Sequence, residues 1–272
     1  AQPDLALFVG DLSDTEEAAM VEKIAAVDVP KAVILGNHDA WRSIRDRKVT
    51  GELHRSLHAL GSSNLHYEVR DVPAAQVSVV GARPFSYGGE VLRGEEVYDE
   101  LYGVRDFEAS AERILRAAQR AQHLDLVLLA HNGPTGLGAA PADLCGKDFG
   151  KPGGDWGDRD LELAIDLIEG WGFRVRAVVS GHMHHKLLHP RGAERRRFVR
   201  RNGTLFVNCA VVPRIERDAD GVELAHFVRM RWEQGDCVGL EEVWVDGNGR
   251  EQRCASPTVI DLEAPRTDAG GS

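Results

Sequence analysis

The sequence predicts a mixed α/β sandwich built on two sheets. Over the first two-thirds, short apolar runs alternate with segments of helical spacing, the pattern of strand–helix units laid on a sheet. The last third is mostly strand-like, with runs joined by turns such as Arg201-Asn202-Gly203. No internal repeat and no Pro/Gly-rich linker interrupts the 272 residues. Residues 1–262 therefore read as one domain, and the small, polar residues 263–272 as a flexible tail.

The elements follow in order. Residues 4–9 (DLALFV) form a short apolar run that Gly10-Asp11 ends, and they read as a buried strand. Residues 15–26 have helical spacing, with Asp14 as N-cap and Glu17 completing a capping box. Residues 32–35 (AVIL) are a second buried strand, closed by Gly36. A helix is expected over 51–60, ending at Gly61, and strands over 66–70 and 77–82. Residues 108–123 have the stripe of an amphipathic helix. Residues 124–130 (LDLVLLA) are a strand that ends at His131. A helix over 160–169 is capped by Gly170, and a strand over 174–179 is closed by Ser180-Gly181. Strands are then expected at 187–188, 197–199, 204–207, 222–232 and 238–245.

Charge and composition exclude several classes. Asp and Glu number 43 against 33 Lys and Arg, a formal net charge of −10, which disfavours a nucleic-acid binder. An anionic substrate would then need a local positive centre, a metal or an arginine. Six arginines fall between 191 and 201, and they read as a solvated hairpin. Apolar runs such as 126–130 are far too short to span a bilayer. Cys145, Cys209, Cys237 and Cys254 form no CxxC pair. They read as free thiols in a reducing compartment, so a cytoplasmic location is expected.

Four predicted strands end in residues that can hold a metal. They are Asp11, then Asn37-His38-Asp39, then His131, then His182-Met183-His184-His185. The crevice beyond the carboxyl ends of strands is where an α/β sheet binds ligands. A carboxylate, an amide oxygen and several imidazoles suit Mn, Fe, Co, Ni or Zn better than Mg or Ca. Taken singly, each motif has a plainer reading: Gly-Asp and Asn-His-Asp as turns, His131 as a structural residue. Their combination in this order is far more specific than any part. Arg83 and Arg214 are candidate phosphate clamps, with a structural role as the alternative. Asp155-Trp156-Gly157-Asp158 is either a substrate-facing loop or a turn with an aromatic plug.

Gly10-Asp11, Gly36-Asn37-His38-Asp39, His131 and Gly181-His182-Met183-His184 resemble the ordered motifs of the calcineurin-like metallophosphoesterases, over residues 5 to about 210. Ala130-His131-Asn132-Gly133-Pro134-Thr135-Gly136 and Cys145-Gly146-Lys147-Asp148 are similar to a bacterial, cyanobacterial and plant subgroup of them. The resemblance implies a four-layer α/β/β/α sandwich and a centre of two divalent metal ions. Asp11 would bridge the ions. Asn37, His131 and His182 would bind one of them, and His184 the other. His38 would be the general acid, oriented by Asp39. The implied reaction is hydrolysis of a phosphorylated small molecule or a phosphodiester by a bridging hydroxide. A non-catalytic binding module on the same fold is the alternative. The family also places an Asp-x-His motif ahead of Gly-Asp, and no Asp-x-His stands in this sequence. A first strand and its ligand loop are thus expected to precede Ala1, and without them the chain is expected to be an impaired enzyme.

Overall fold

The computed structural model describes residues 3–252. The expected tail 263–272 and Cys254 lie outside them. The mixed α/β class is present, with three sheets among the described residues where two were expected.

β1 (Ala6–Phe8) pairs in parallel with β2 (Lys31–Val33). A parallel pair needs a crossover, and α1 (Ala18–Ala25) lies within it. This helix starts later than its spacing predicts. Glu16 takes a left-handed φ of 61°, and its buried carboxylate accepts hydrogen bonds from Ser43 N and Ser43 Oγ, each at 2.6 Å. Residues 15–17 are thereby held out of the helix, and Asp14 is not its cap. The first turn is satisfied from elsewhere: Ser13 Oγ accepts from Glu17 N, and Glu52 Oε2 accepts from Ala18 N. Glu52 lies on α3 (Gly51–Leu60), the helix expected over 51–60, which Thr50 caps through Leu53 N. Between β2 and α3 runs the short α2 (Trp41–Arg45).

The principal sheet has six strands. β4 (Val77–Gly81), β5 (Asp125–Leu129), β6 (Arg174–Ser180) and β8 (Thr204–Asn208) run parallel in its middle. β3 (Val69–Val72) and β7 (Phe198–Arg201) are its antiparallel edges. Every residue of β4, β5 and β8 is buried, as continuous apolar runs in a doubly covered parallel sheet should be. α4 (Glu95–Tyr102) and α5 (Phe107–Ala118) connect β4 to β5, and α6 (Arg159–Gly170) connects β5 to β6. α5 is capped by Asp106 and buries Phe107, Ser110, Ala111, Ile114, Ala117 and Ala118, a continuous helical stripe. It packs on β4 and on α6, while α6 packs on β6. α6 includes Gly170, so the expected cap is its last helical residue.

The third sheet is antiparallel. It contains β9 (Ile215–Arg217), β10 (Glu223–Glu233), β11 (Asp236–Asp246) and β12 (Glu251–Gln252). Gln234 and Gly235 both have positive φ, the two-residue turn that suits a twisted hairpin. The strand expected at 187–188 is absent. That segment is one side of a turn through Pro190-Arg191-Gly192, closed by the Leu187 N to Ala193 O bond. No helix among the described residues is long and apolar enough to cross a membrane.

Candidate metal centre

The carboxyl ends of β1, β2, β5 and β6 meet at one crevice, and glycine lets them meet. Gly10 has φ 92° and Asp11 φ 52°, so the chain turns sharply after β1. A Cβ at Gly36 would lie 2.3 Å from Asp11 Oδ1 and 2.4 Å from the His131 ring. No larger residue fits between these loops. The Asp39 carboxylate fastens them together. It accepts from Leu12 N at 3.2 Å, Ser13 N at 2.8 Å, Ser13 Oγ at 3.1 Å and Gly36 N at 2.9 Å. Burial raises its pKa, and the Asp11 charge adds to that.

His131 is fixed by two contacts. Its Nδ1 lies 2.6 Å from the Val9 carbonyl, which can only accept, so Nδ1 carries the hydrogen. In its neutral form the ring presents a lone pair at Nε2. That atom faces Asn37 Oδ1 at 2.9 Å and Asp11 Oδ1 at 3.4 Å. Three electron-pair donors therefore point at one another. Asn37 also shares a hydrogen bond with the Tyr87 phenol, whose pKa burial raises. The His182 ring stands 5.0 Å from that of His131, on backbone with φ 61°. Asp11, His131 and His182 each offer a donor atom, all within 4.8 Å of one another.

The protonation states suit a cation. Burial drives His182 down to about 3. For Asp11, burial acts upward, but His131, His182 and the His38 N–H outweigh it and hold the carboxyl below its usual range. Metal ligands must be deprotonated, and Asp11 and His182 meet that requirement at neutral pH.

The family assignment rests on the sequence itself as well as on this geometry. The profile described as calcineurin-like phosphoesterase matches residues 1–186. The chain belongs to the calcineurin-like phosphoesterase family. No curated protein matches it. Calcineurin-like phosphoesterases hydrolyse phosphoesters with divalent metals, and the Asp11–His131–His182 triad is the candidate site for one here.

The other expected residues divide into those at the crevice and those elsewhere. Asp11, His38, His182 and His184 line a cavity of about 230 Å³. Burial lowers the pKa of His184. The His38 ring is held by the Asp14 carbonyl, which accepts from Nδ1 at 2.9 Å. Asp39 does not orient it, because all its hydrogen bonds go to the loops it fastens. Arg214 reaches the site: its Nη2 donates to the Asp11 carbonyl at 3.3 Å.

Arg83 does not reach it. It is 3% exposed and clamped by Asp158 at 2.9 Å and Asp160 at 2.8 Å, over the rings of Phe107 and Tyr98. It anchors the interior, and its proposed role in holding substrate is corrected. Asp155 is a loop fastener, accepting from Gly136 N at 2.7 Å and Gly157 N at 2.9 Å. Trp156 does face a cavity, one of about 300 Å³ lined also by Tyr87, Arg93, Lys147, Phe149 and His182. The basic segment at 191–201 is not simply solvated. Arg195 is buried against Asp148 at 2.9 Å and donates to the Pro141, Asp143 and Gly146 carbonyls. Arg197 is paired with Glu242.

Sequence reasoning missed Tyr87, Arg93, Lys147 and Phe149. Lys147 carried one signal, being among only six lysines and lying inside the Cys145–Asp148 motif.

Proposed function

We propose that this chain hydrolyses phosphoesters at a two-metal centre built on Asp11. One observation carries the proposal: Asp11 Oδ1, Asn37 Oδ1 and His131 Nε2 converge as lone-pair donors, which is unfavourable unless a cation lies among them. Asp11, Asn37, His131 and His182 hold one ion, and Asp11 and His184 contribute to the second. Divalent ions bound there supply Lewis acidity toward the phosphoryl oxygens and the attacking water.

The remaining residues act on the substrate. His38 lines the same cavity, and its Nδ1 is tied to Asp14, so Nε2 is the atom free to protonate the leaving oxygen. Arg214 stands beside the Asp11 loop and contacts the equatorial oxygens where charge develops. The substrate is a phosphorylated small molecule or a phosphodiester. Cytoplasmic placement belongs to the same reading, supported by free Cys145, Cys209 and Cys237.

The test is reconstitution. Protein stripped by a chelator is supplied with Mn²⁺, Fe²⁺, Co²⁺, Ni²⁺ or Zn²⁺ in turn, then assayed on 4-nitrophenyl phosphate and bis(4-nitrophenyl) phosphate. At least one ion should restore hydrolysis of one ester. Folded, metal-loaded protein that hydrolyses neither would overturn the proposal and favour a binding module.

A further inference from the structure

The cavity beside His182 has an unusual lining. Tyr87, Phe149 and Trp156 supply three aromatic walls. Each already carries a protein cation on one face. Lys147 Nζ lies 4.2 Å from the Trp156 ring centre and 5.5 Å from that of Phe149. The Arg93 guanidinium lies 5.5 Å from the Tyr87 ring. Neither Lys147 nor Arg93 forms an ion pair among the described residues, although acidic residues outnumber basic ones in this chain. The half-buried Lys147 and the exposed Arg93 are thus held against aromatic faces, with no ion-paired carboxylate among the described residues.

The wall is rigid. Lys147 N donates to Gly154 O at 2.8 Å, and Trp156 N donates to Cys145 O at 2.8 Å. Trp156 Nε1 donates to Tyr87 O at 2.7 Å. Arg195 grips the preceding loop through three carbonyls and the Asp148 carboxylate. The pocket opens onto the metal crevice, since His182 and Phe149 line both cavities.

We propose that this pocket binds a second anionic group on the substrate, a carboxylate or phosphate carried by the leaving group beyond the scissile phosphoryl. A planar base would have to compete with the protein's own cations for these aromatic rings. An anion gains what Lys147 and Arg93 lack, and bidentate geometry is available from the guanidinium. The net charge of −10 makes such local cations necessary for a multiply charged substrate. The inference rests on the phosphoesterase reading of the adjoining crevice.

The test pairs phenylphosphonate with 4-carboxyphenylphosphonate, measured by calorimetry on metal-loaded protein, and phenyl phosphate with 4-carboxyphenyl phosphate, measured by hydrolysis. Wild type should favour the carboxylated member by about tenfold, the worth of one charge-assisted hydrogen bond. Lys147→Met and Arg93→Met should each reduce that ratio, and the double variant should abolish it. Lys147→Arg should retain it. Met keeps an apolar stem against Trp156, and Arg93 is exposed, so the variants should fold; their thermal melts confirm it. Equal affinity for both phosphonates, or a preference that survives in the double variant, would overturn the inference. The two readings fail separately. Hydrolysis of both esters without discrimination removes the pocket and leaves the phosphoesterase. Discrimination between phosphonates with no hydrolysis of either ester removes the phosphoesterase and leaves the pocket.

Discussion

Nε2 of His131 faces Oδ1 of Asn37 across 2.9 Å, between residues 94 apart in the chain. The opposite ring nitrogen donates to Val9 O. As two acceptors the pair is satisfied by a cation placed beside them, and Asp11 completes the ring of donors. Tyr87 shares a hydrogen bond with the Asn37 side chain. Tyr87→Phe should therefore weaken metal binding by about 10–100-fold, the usual cost of losing such a support, without unfolding the protein. Titration of Mn²⁺ followed by calorimetry checks this, and an unchanged affinity would remove Tyr87 from the centre.

His38 should matter in proportion to the leaving group. An aryl oxide leaves without a proton, whereas an alkoxide needs one in the transition state. His38→Ala should cost an alkyl phosphate about 10²–10⁴-fold in kcat and an aryl phosphate much less. Equal losses on both esters would mean that the ring acts only through its charge.

The two arginines singled out together should behave differently. Arg83 is buried between Asp158 and Asp160, and removing one partner of a buried pair strands the others. Arg83→Met should cost about 3–5 kcal/mol in urea unfolding. Arg214 is exposed, so Arg214→Ala should leave unfolding nearly unchanged and lower kcat/KM. A stability loss at Arg214 equal to that at Arg83 would contradict this division.

Acid should destabilise the fold partly through His66. Its Nε2 accepts from Leu35 N at 3.0 Å, its Nδ1 lies 2.7 Å from Tyr102 Oη, and burial drives its pKa from 6.5 to about 3. A depressed pKa means the stabilisation is complete above 6.5 and is lost as pH falls toward 3. The loss is about 1.4 kcal/mol per pH unit in that window. Between about pH 7.5 and 5.5, wild type should lose about 1.4 kcal/mol more than His66→Gln, which keeps a neutral acceptor and donor. Parallel losses in urea unfolding would show that another group governs the acid limb.

Much of this was legible in the sequence because strand ends are local signals. Apolar runs closed by Gly10-Asp11, Gly36-Asn37 and Ala130-His131 mark both a strand and the residue presented at its end. Roles set by distant partners were not legible. Arg83 looks like any arginine after a strand until Asp158 and Asp160 arrive from 75 and 77 residues away. Asp14 looks like a cap until Glu16 is drawn off to Ser43. Asp39 sits next to His38 in sequence yet bonds residues 26 and 27 positions earlier. The cationic pocket escaped for the same reason: Tyr87, Lys147 and Trp156 become neighbours only through the long loops around β5.

The central claim is that Asp11, His131 and His182 hold a divalent cation. Calorimetric titration of Mn²⁺ into wild type, Asp11→Asn and His182→Gln tests it without reference to any substrate. Asp11→Asn keeps the shape of the side chain and removes its charge. The account predicts that each variant binds roughly a hundredfold more weakly than wild type, since ligand identity and count set metal affinity, while the thermal melt of the metal-free protein changes little. A merely turn-forming Asp11 would show the reverse. Wild-type affinity in both variants would contradict the account.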